Sequence, residues 1–244
     1  MHRFALFSDV HANLPALDAV LADIAARGLD HVYCLGDLVG YGPDPSGVVE
    51  RVRTVGVPTV RGNYDDGVGA RRGQCGCYYA TDQARDDGAA SYAFTDAALS
   101  DSDHEWLAAL PDSLRIESSG LRVLLAHGSP RKINEYLLPD RTDAFLVRLA
   151  EEAAADVVCV GHVHVPYHRV LTGTDGRRID YVSSGSVGKP KDGDPRAGWV
   201  EVETGGEARV RVTVHRVAYD MEAVAAAMLT AGLPPTLAEA LRRG

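Results

Sequence analysis

Positive charge is the first thing this chain is short of. Twenty-five Lys and Arg stand against 34 Asp and Glu in 244 residues, a formal charge of −9. That balance argues against a long nucleic-acid backbone as partner, because such binding displaces counterions with basic side chains. It leaves room for a small phosphorylated ligand, which needs only a few local cations. Long apolar runs are also missing: nothing approaches the ~20 residues needed to span a bilayer, so no membrane partner is expected. At the N-terminus the apolar run Phe4 to Phe7 is cut by Ser8 and Asp9, too short for a signal peptide. Cysteine is sparse, with four residues. Cys34 and Cys159 lie in the apolar runs HVYCLG and VVCVGH and read as small core hydrophobes. Cys75 and Cys77 form C-G-C in a Gly-rich loop, and without a second cysteine pair a zinc site there is disfavoured. A reducing compartment, the cytoplasm, is the expectation.

What is present is the composition of an ordinary globule, 45% hydrophobic and 24% charged. The first half alternates. RFALFS (3–8) reads as a buried strand, and Asn13 caps a helix on which Leu14, Leu17, Val20, Leu21 and Ile24 recur at helical spacing until Gly28. HVYCLG (31–36) is a second strand, PSGVVERVRTVG (45–56) a second helix and VPTVRG (57–62) a third strand. This β-α-β-α-β order predicts a parallel sheet. Residues 64–112 break the rhythm as a loop and two helices, near 82–99 and 101–109. LRIES and LRVLLAHG read as a hairpin, TDAFLVRLAEEAAA (142–155) as a helix and DVVCVGH (156–162) as a strand. Period-two alternation from YHRVLTG to ARVRVTVHRV suggests an antiparallel half, and 220–243 is a helical tail divided by Pro234 and Pro235. No repeat or linker interrupts the chain, so residues 1–244 are expected to form one domain.

The chemistry gathers at strand ends. The first strand ends in Asp9-Val10-His11, the second in Gly36-Asp37 and the third in Gly62-Asn63. The hairpin ends in His127, and the strand after the helix in Gly161-His162-Val163-His164. Loops at the carboxyl ends of such strands share one edge, where ligands bind. Residues two apart in extended chain point the same way. With 23 Asp and nine His, one Asp-x-His is expected by chance about once. The conjunction of two carboxylates, an amide and four histidines is not. Seven oxygen and nitrogen donors exceed one closed zinc site and suit two open sites sharing a carboxylate. Without a thiolate they fit Mn, Fe, Co or Zn. Two such ions are the standard arrangement for activating water and clamping a phosphoryl oxygen. By itself, VRGNYDD (60–66) reads as a turn; its neighbours make Asn63 a candidate ligand, Asp65 its support and Asp66 a turn residue.

D-x-H (9–11), G-D-x-x-G (36–40), G-N-x-D (62–65), His127-Gly128 and G-H-x-H (161–164) stand in the order seen in calcineurin-like metallophosphoesterases. The chain resembles their small bacterial phosphodiesterase branch over roughly residues 4–190. The resemblance implies a four-layer αββα sandwich, two mixed sheets flanked by helices. It implies one metal held by Asp9, His11, Asp37 and His164, and another by Asp37, Asn63, His127 and His162, with Asp37 bridging. A hydroxide bridging the metals, manganese favoured, would attack phosphorus, and Asn63 would also touch the phosphate. The departure is Tyr64, where many members of the family carry a histidine, held by the following Asp, to which the resemblance assigns protonation of the leaving oxygen or stabilisation of the transition state. Tyrosine, with a pKa near ~10, donates hydrogen bonds but is a reluctant acid. Tyr64 is therefore a catalytic candidate beside Asn63 and Asp65, with packing as the alternative, and good leaving groups are favoured.

Two further segments are candidates for facing the substrate: GSPRKINEY (128–136), with Arg131, and GSVGKPKDGDPR (185–196), with Lys189, Lys191 and Arg196. The stretch 64–112, with Tyr78 and Tyr79, is either a lid or plain acidic surface, the latter preferred. The expected function is hydrolysis of a small phosphodiester or nucleotide anhydride. A phosphomonoesterase, a protein phosphatase and a scaffold that keeps the fold without the chemistry are the alternatives.

Overall fold

The computed structural model describes residues 2–207 and 209–244. Its strands are β1 (His2–Phe7), β2 (Val32–Cys34), β3 (Ser113–Ser118), β4 (Leu121–Ala126), β5 (Val157–Val160), β6 (Pro166–Thr172), β7 (Arg178–Ser184), β8 (Ala197–Thr204) and β9 (Val210–Val217). Its helices are α1 (Leu14–Ala26), α2 (Pro45–Val55), α3 (Asn63–Gly69), α4 (Asp82–Ala98), α5 (Asp101–Ala109), α6 (Asp143–Glu152), α7 (Met221–Thr230) and α8 (Pro235–Arg243). The strands form two mixed sheets, ordered β2-β1-β8-β9 and β3-β4-β5-β7-β6.

Alternation along the central strands builds three cores and hence four layers. Phe4 and Leu6 of β1 face Val123 and Leu125 of β4 and Val157 and Cys159 of β5, between the two sheets. Ala5 and Phe7 point the other way, onto Leu17, Val20 and Ile24 of α1 and Val48, Val49 and Val52 of α2. Leu124, Val158 and Val160 point out of the second sheet onto Leu146 and Leu149 of α6. A strand buried on both faces carries apolar residues at every position, which is why β1 and β5 read as continuous runs. The result is an αββα sandwich. Among the described residues no helix is long and apolar enough to cross a membrane.

Three expectations change. VPTVRG is no strand: it keeps a single parallel bridge, Cys34 to Thr59, because Pro58 has no N–H to extend a ladder. The alternating C-terminal segments pair antiparallel, as the hairpins β6-β7 and β8-β9, but do not form one antiparallel half. They divide between the sheets, β8 antiparallel to β1 and β7 parallel to β5. Third, Cys75 and Cys77, read as cysteines of a reducing compartment, are joined by a disulfide.

Candidate metal centre

The segment that resembled a turn opens helix α3. Gly62 is its N-cap, and Asp65 in the first turn accepts the Gly62 N–H at 2.9 Å. The same carboxylate accepts the N–H of Asp37 at 2.8 Å and of Leu38 at 2.9 Å. Asp65 thus ties the loop after β2 to the start of α3, and its oxygens serve the backbone rather than any reacting group. Burial and the neighbouring charge of Asp37 push its pKa up to about 7. Asp66 pairs with Arg72 at 2.9 Å, outside the site.

Seven candidate ligands converge at the strand ends. His164 Nε2 lies 3.2 Å and His11 Nε2 3.8 Å from Asp9 Oδ1, and the two imidazole nitrogens are 3.3 Å apart. In the neighbouring group His127 Nε2 lies 3.4 Å from Asp37 Oδ2, 3.2 Å from His162 Nδ1 and 3.0 Å from Asn63 Oδ1. Asp37 Oδ2 is also 3.8 Å from His11 Nε2, so this one oxygen stands between the groups. The two sets, Asp9-His11-His164 and Asp37-His127-His162, are both buried.

The surrounding backbone aims these atoms. His11 Nδ1 donates to Val39 O at 3.0 Å, His127 Nδ1 to Leu35 O at 2.7 Å and His164 Nδ1 to Lys189 O. Each bond commits one ring nitrogen and turns the other inward. Asp9 Oδ2 is held by the Ser8 hydroxyl and, at 3.0 Å, by the His162 N–H, while Oδ1 has no hydrogen-bond partner among the described residues. Asp37 Oδ1 accepts the Tyr64 N–H at 2.8 Å, leaving Oδ2 for the site. Gly62 makes this packing possible, since a Cβ there would lie 2.1 Å from Asp37 Oδ1. Asp9, His11, Asp37, His162 and His164 all adopt positive φ, between 49° and 67°. Left-handed non-glycine residues persist only where their surroundings over-determine them, and they cluster at functional sites.

Burial holds His11 and His162 neutral, with pKa values down to about 3, and lowers His164 well below its ordinary value. Burial raises Asp9. Burial pushes Asp37 upward too, but the adjacent His127 outweighs it and holds the carboxyl below the usual range. Neutral imidazoles are the form that binds metal. With both Nδ1 atoms committed as donors, the Nε2 lone pairs of His11 and His164 face each other at 3.3 Å. Two acceptors so placed call for a cation between them. The Asp9-His11-His164 donors therefore fit a divalent ion. Asp37, His127 and His162 form a second buried group, in which burial lowers His127 but the charge of Asp37 raises it further, to about 9, so that it must lose a proton to serve as a ligand.

Tyr64 is fully buried in the core beneath α1 and α2. Its ring meets His11 edge-on at 5.5 Å and Tyr41 at 4.9 Å. It fills the space that Gly40 leaves open, where a Cβ would lie 2.3 Å from Tyr64 Cδ1. Asn63 Nδ2 donates to Cys75 O at 3.0 Å and to Cys77 Sγ at 3.2 Å, which orients Oδ1 toward His127 and leaves its amide hydrogens engaged. Arg131 lines a cleft of about 390 Å³ beside His127, but Glu135 holds its guanidinium at 2.6 and 3.0 Å. Lys189 behaves differently: its Nζ sits 4.4 Å above the Tyr41 ring. Burial, with Lys191 next to it, brings this ammonium down to about 7.

Two site residues escaped sequence reasoning. Tyr41 packs edge-on against His11 at 4.9 Å, and Tyr136 lies over His162 at 4.0 Å. Their signal was position: Tyr41 closes the loop after Asp37, and Tyr136 ends the segment after His127.

Comparison with known proteins agrees with this geometry. A metallophosphoesterase from Sphaerobacter thermophilus is 33% identical, with 99% of each chain covered and a TM-score of 0.74. A hypothetical protein from Pyrococcus horikoshii shares the fold, with a TM-score of 0.81 at 22% identity over 99% of this chain and 98% of that one. An uncharacterised protein of Methanocaldococcus jannaschii is 31% identical over 98% of this chain and 97% of its own. Residues 2–205 match the calcineurin-like phosphoesterase superfamily domain, and the chain belongs to that superfamily.

Proposed function

We propose that the protein is a dinuclear metal-dependent phosphohydrolase acting on a small phosphodiester or a nucleotide phosphoanhydride. The observation that carries this reading is the pair of donor groups, with Asp37 Oδ2 lying within 3.8 Å of His11 Nε2 and 3.4 Å of His127 Nε2. Asp9, His11, Asp37 and His164 would hold one divalent ion, and Asp37, Asn63, His127 and His162 the other. Bound there, the ions would make water acidic enough to supply the nucleophile and would offset charge on the phosphoryl oxygens. The protein's share is to fix the donors before substrate arrives. Asp65 anchors both ligand-bearing loops through three N–H groups. Tyr64 supports the His11 ring from below, and we assign it packing rather than proton donation. Of Arg131, Lys189 and Lys191, the cations left available to phosphate are the two lysines, since Arg131 is matched by Glu135.

Manganese is the favoured metal for activity, and a small phosphorylated molecule the favoured partner. Metal analysis with bis-nitrophenyl phosphate hydrolysis in Mn²⁺ tests the reading. Metal content near two ions per chain and turnover abolished by Asp37→Asn are expected. A protein that stays metal-free and inactive, and whose stability Asp37→Asn does not change, would refute it.

A further inference from the structure

Only three of the chain's 25 basic residues are lysines, Lys132, Lys189 and Lys191. Two of these three stand two residues apart in the loop between β7 and β8, against a metal-site histidine. Lys189 O accepts from His164 Nδ1, and the Lys191 N–H donates to His164 O at 3.3 Å. Ser186 fixes the same loop, its hydroxyl accepting the Lys189 N–H at 2.9 Å and donating to Asp9 O at 2.8 Å.

Among the described residues neither lysine has an ion-pair partner, although acids surround them. Asp192 is taken by Arg216 and Asp194 by Arg196 at 2.6 Å. Asp87, on the opposite wall, is held by Gln83 at 2.9 Å and Thr236 at 2.6 Å. A chain of charge −9 thus keeps, among the described residues, two lysine amines without a carboxylate partner beside its reaction site.

The lysines form one side of a cleft of about 360 Å³, whose other walls include Tyr41, Tyr78, Tyr79 and Arg243. That is the size of a small-ligand site. The cleft adjoins the Asp9-His11-His164 group: Tyr41, on its wall, packs edge-on against His11 at 4.9 Å, and the Lys189 and Lys191 backbones bond to His164. Tyr78, on the wall of this cleft, is 76% exposed.

Resting on the phosphohydrolase reading, we propose that this cleft binds the leaving half of the substrate, and that the substrate is a nucleoside carrying a phosphoanhydride. The reacting phosphorus sits at the seven ligands, the adjoining phosphate on Lys189 and Lys191, and the base against Tyr78. Water's oxygen bonds to phosphorus as the P–O–P bond breaks. The electron pair leaves with the departing phosphate, and water's proton passes to solvent. A departing phosphate is a weak base, so no general acid is required. This suits a site in which Tyr64 is buried.

Calorimetry tests the cleft directly, using α,β-methylene-ADP, methylenediphosphonate and inorganic phosphate, each with Mn²⁺ and with chelator. The nucleotide analogue should bind wild type about tenfold more tightly than methylenediphosphonate, the increment expected of one base–aromatic stack. Lys189→Met with Lys191→Met should weaken both analogues about tenfold or more through loss of charge-assisted contacts. Tyr78→Ser, at an exposed position that does not threaten folding, should weaken only the nucleotide analogue. Lys191→Met alone replaces the double variant if that fails to fold. Binding no tighter than inorganic phosphate, or insensitive to the lysines, overturns the cleft even in an enzyme that hydrolyses bis-nitrophenyl phosphate. A protein that hydrolyses nothing overturns the phosphohydrolase reading, while the binding data still decide the cleft.

Discussion

Asp65→Asn separates a residue that positions ligands from one that reacts. The carboxylate is fully buried and accepts three N–H bonds, from Asp37 and Gly62 on Oδ2 and from Leu38 on Oδ1. An asparagine of the same shape brings an NH₂ group to one of these oxygens, so at least one buried N–H is orphaned whichever way the amide is turned. An orphaned donor costs about 1–3 kcal/mol, and the remaining bonds weaken as the acceptor loses its charge. Removing the charge also relieves the burial and the Asp37 repulsion that raise this carboxyl, which offsets part of the loss. About 1–3 kcal/mol is therefore expected, equivalent to a melting-temperature drop of roughly 2–12 °C in a chain of this size. Urea unfolding of the metal-free protein near pH 8.5, above the pKa of about 7, measures the variant against an ionised Asp65. Mn²⁺ affinity should fall in parallel, because the loops carrying Asp37 and Asn63 lose their common anchor. A loss below about 1 kcal/mol would show that the three bonds are not stabilising. Unchanged stability and metal affinity with abolished turnover would make Asp65 a reacting group and refute the argument.

Two further perturbations probe other parts of the structure. Gly40→Ala places a Cβ against the Tyr64 ring at a φ of +87°. It should cost about 2–4 kcal/mol from overpacking and backbone strain. Adding Tyr64→Leu should recover about 1 kcal/mol or more; purely additive effects in a double-mutant cycle would mean the ring is elsewhere. Asp156, at the start of β5, is held down to about 2, chiefly by its hydrogen bonds with Arg122 despite burial. Its folded pKa lies below the ~3.9 of an unfolded Asp, so its contribution of about 2 kcal/mol is complete above about pH 4 and is lost as pH falls through 2. Asp156→Asn should flatten that part of the acid-unfolding profile, and an unaltered profile would count against the pairing.

The residues that mark the centre were legible because each sits where a buried strand meets a sharp bend, so Asp9, His11, Asp37, His127, His162 and His164 stand out against apolar runs. The first helix, with its local cap, was equally plain: Asn13 accepts the Ala16 N–H. What local pattern cannot carry is partnership over distance. The pairing of β8 with β1 joins residues about 200 apart, and alternation in β8 says nothing of its neighbour. α3 hid because NYDDGVG has the residues of a turn; the bonds that organise it reach back to Asp37 and Leu38. The place of Tyr64 depends on a missing side chain at Gly40, 24 residues earlier in the chain. The cleft beside the lysines needs α8, which the sequence marks only as a helical tail.

The inward tyrosine has a kinetic consequence that does not depend on identifying the substrate. A positioned general acid contributes about 10²–10⁴-fold, most of it on leaving groups that depart as strong bases. With the Tyr64 ring sealed under Gly40, and its pKa pushed well above the ordinary value by burial, that help is missing at this position. The barrier should therefore rise steeply with leaving-group basicity. Along a series of diesters from nitrophenol to alkyl alcohols, kcat/KM should fall throughout, while phosphoanhydrides stay fast. Tyr64→Phe keeps the ring against His11 and removes only the hydroxyl, so its profile should overlay that of wild type within about twofold. Should wild type instead show a flat profile that Tyr64→Phe makes steep, the hydroxyl would be the missing acid, and Tyr64 would have to leave its pocket during turnover.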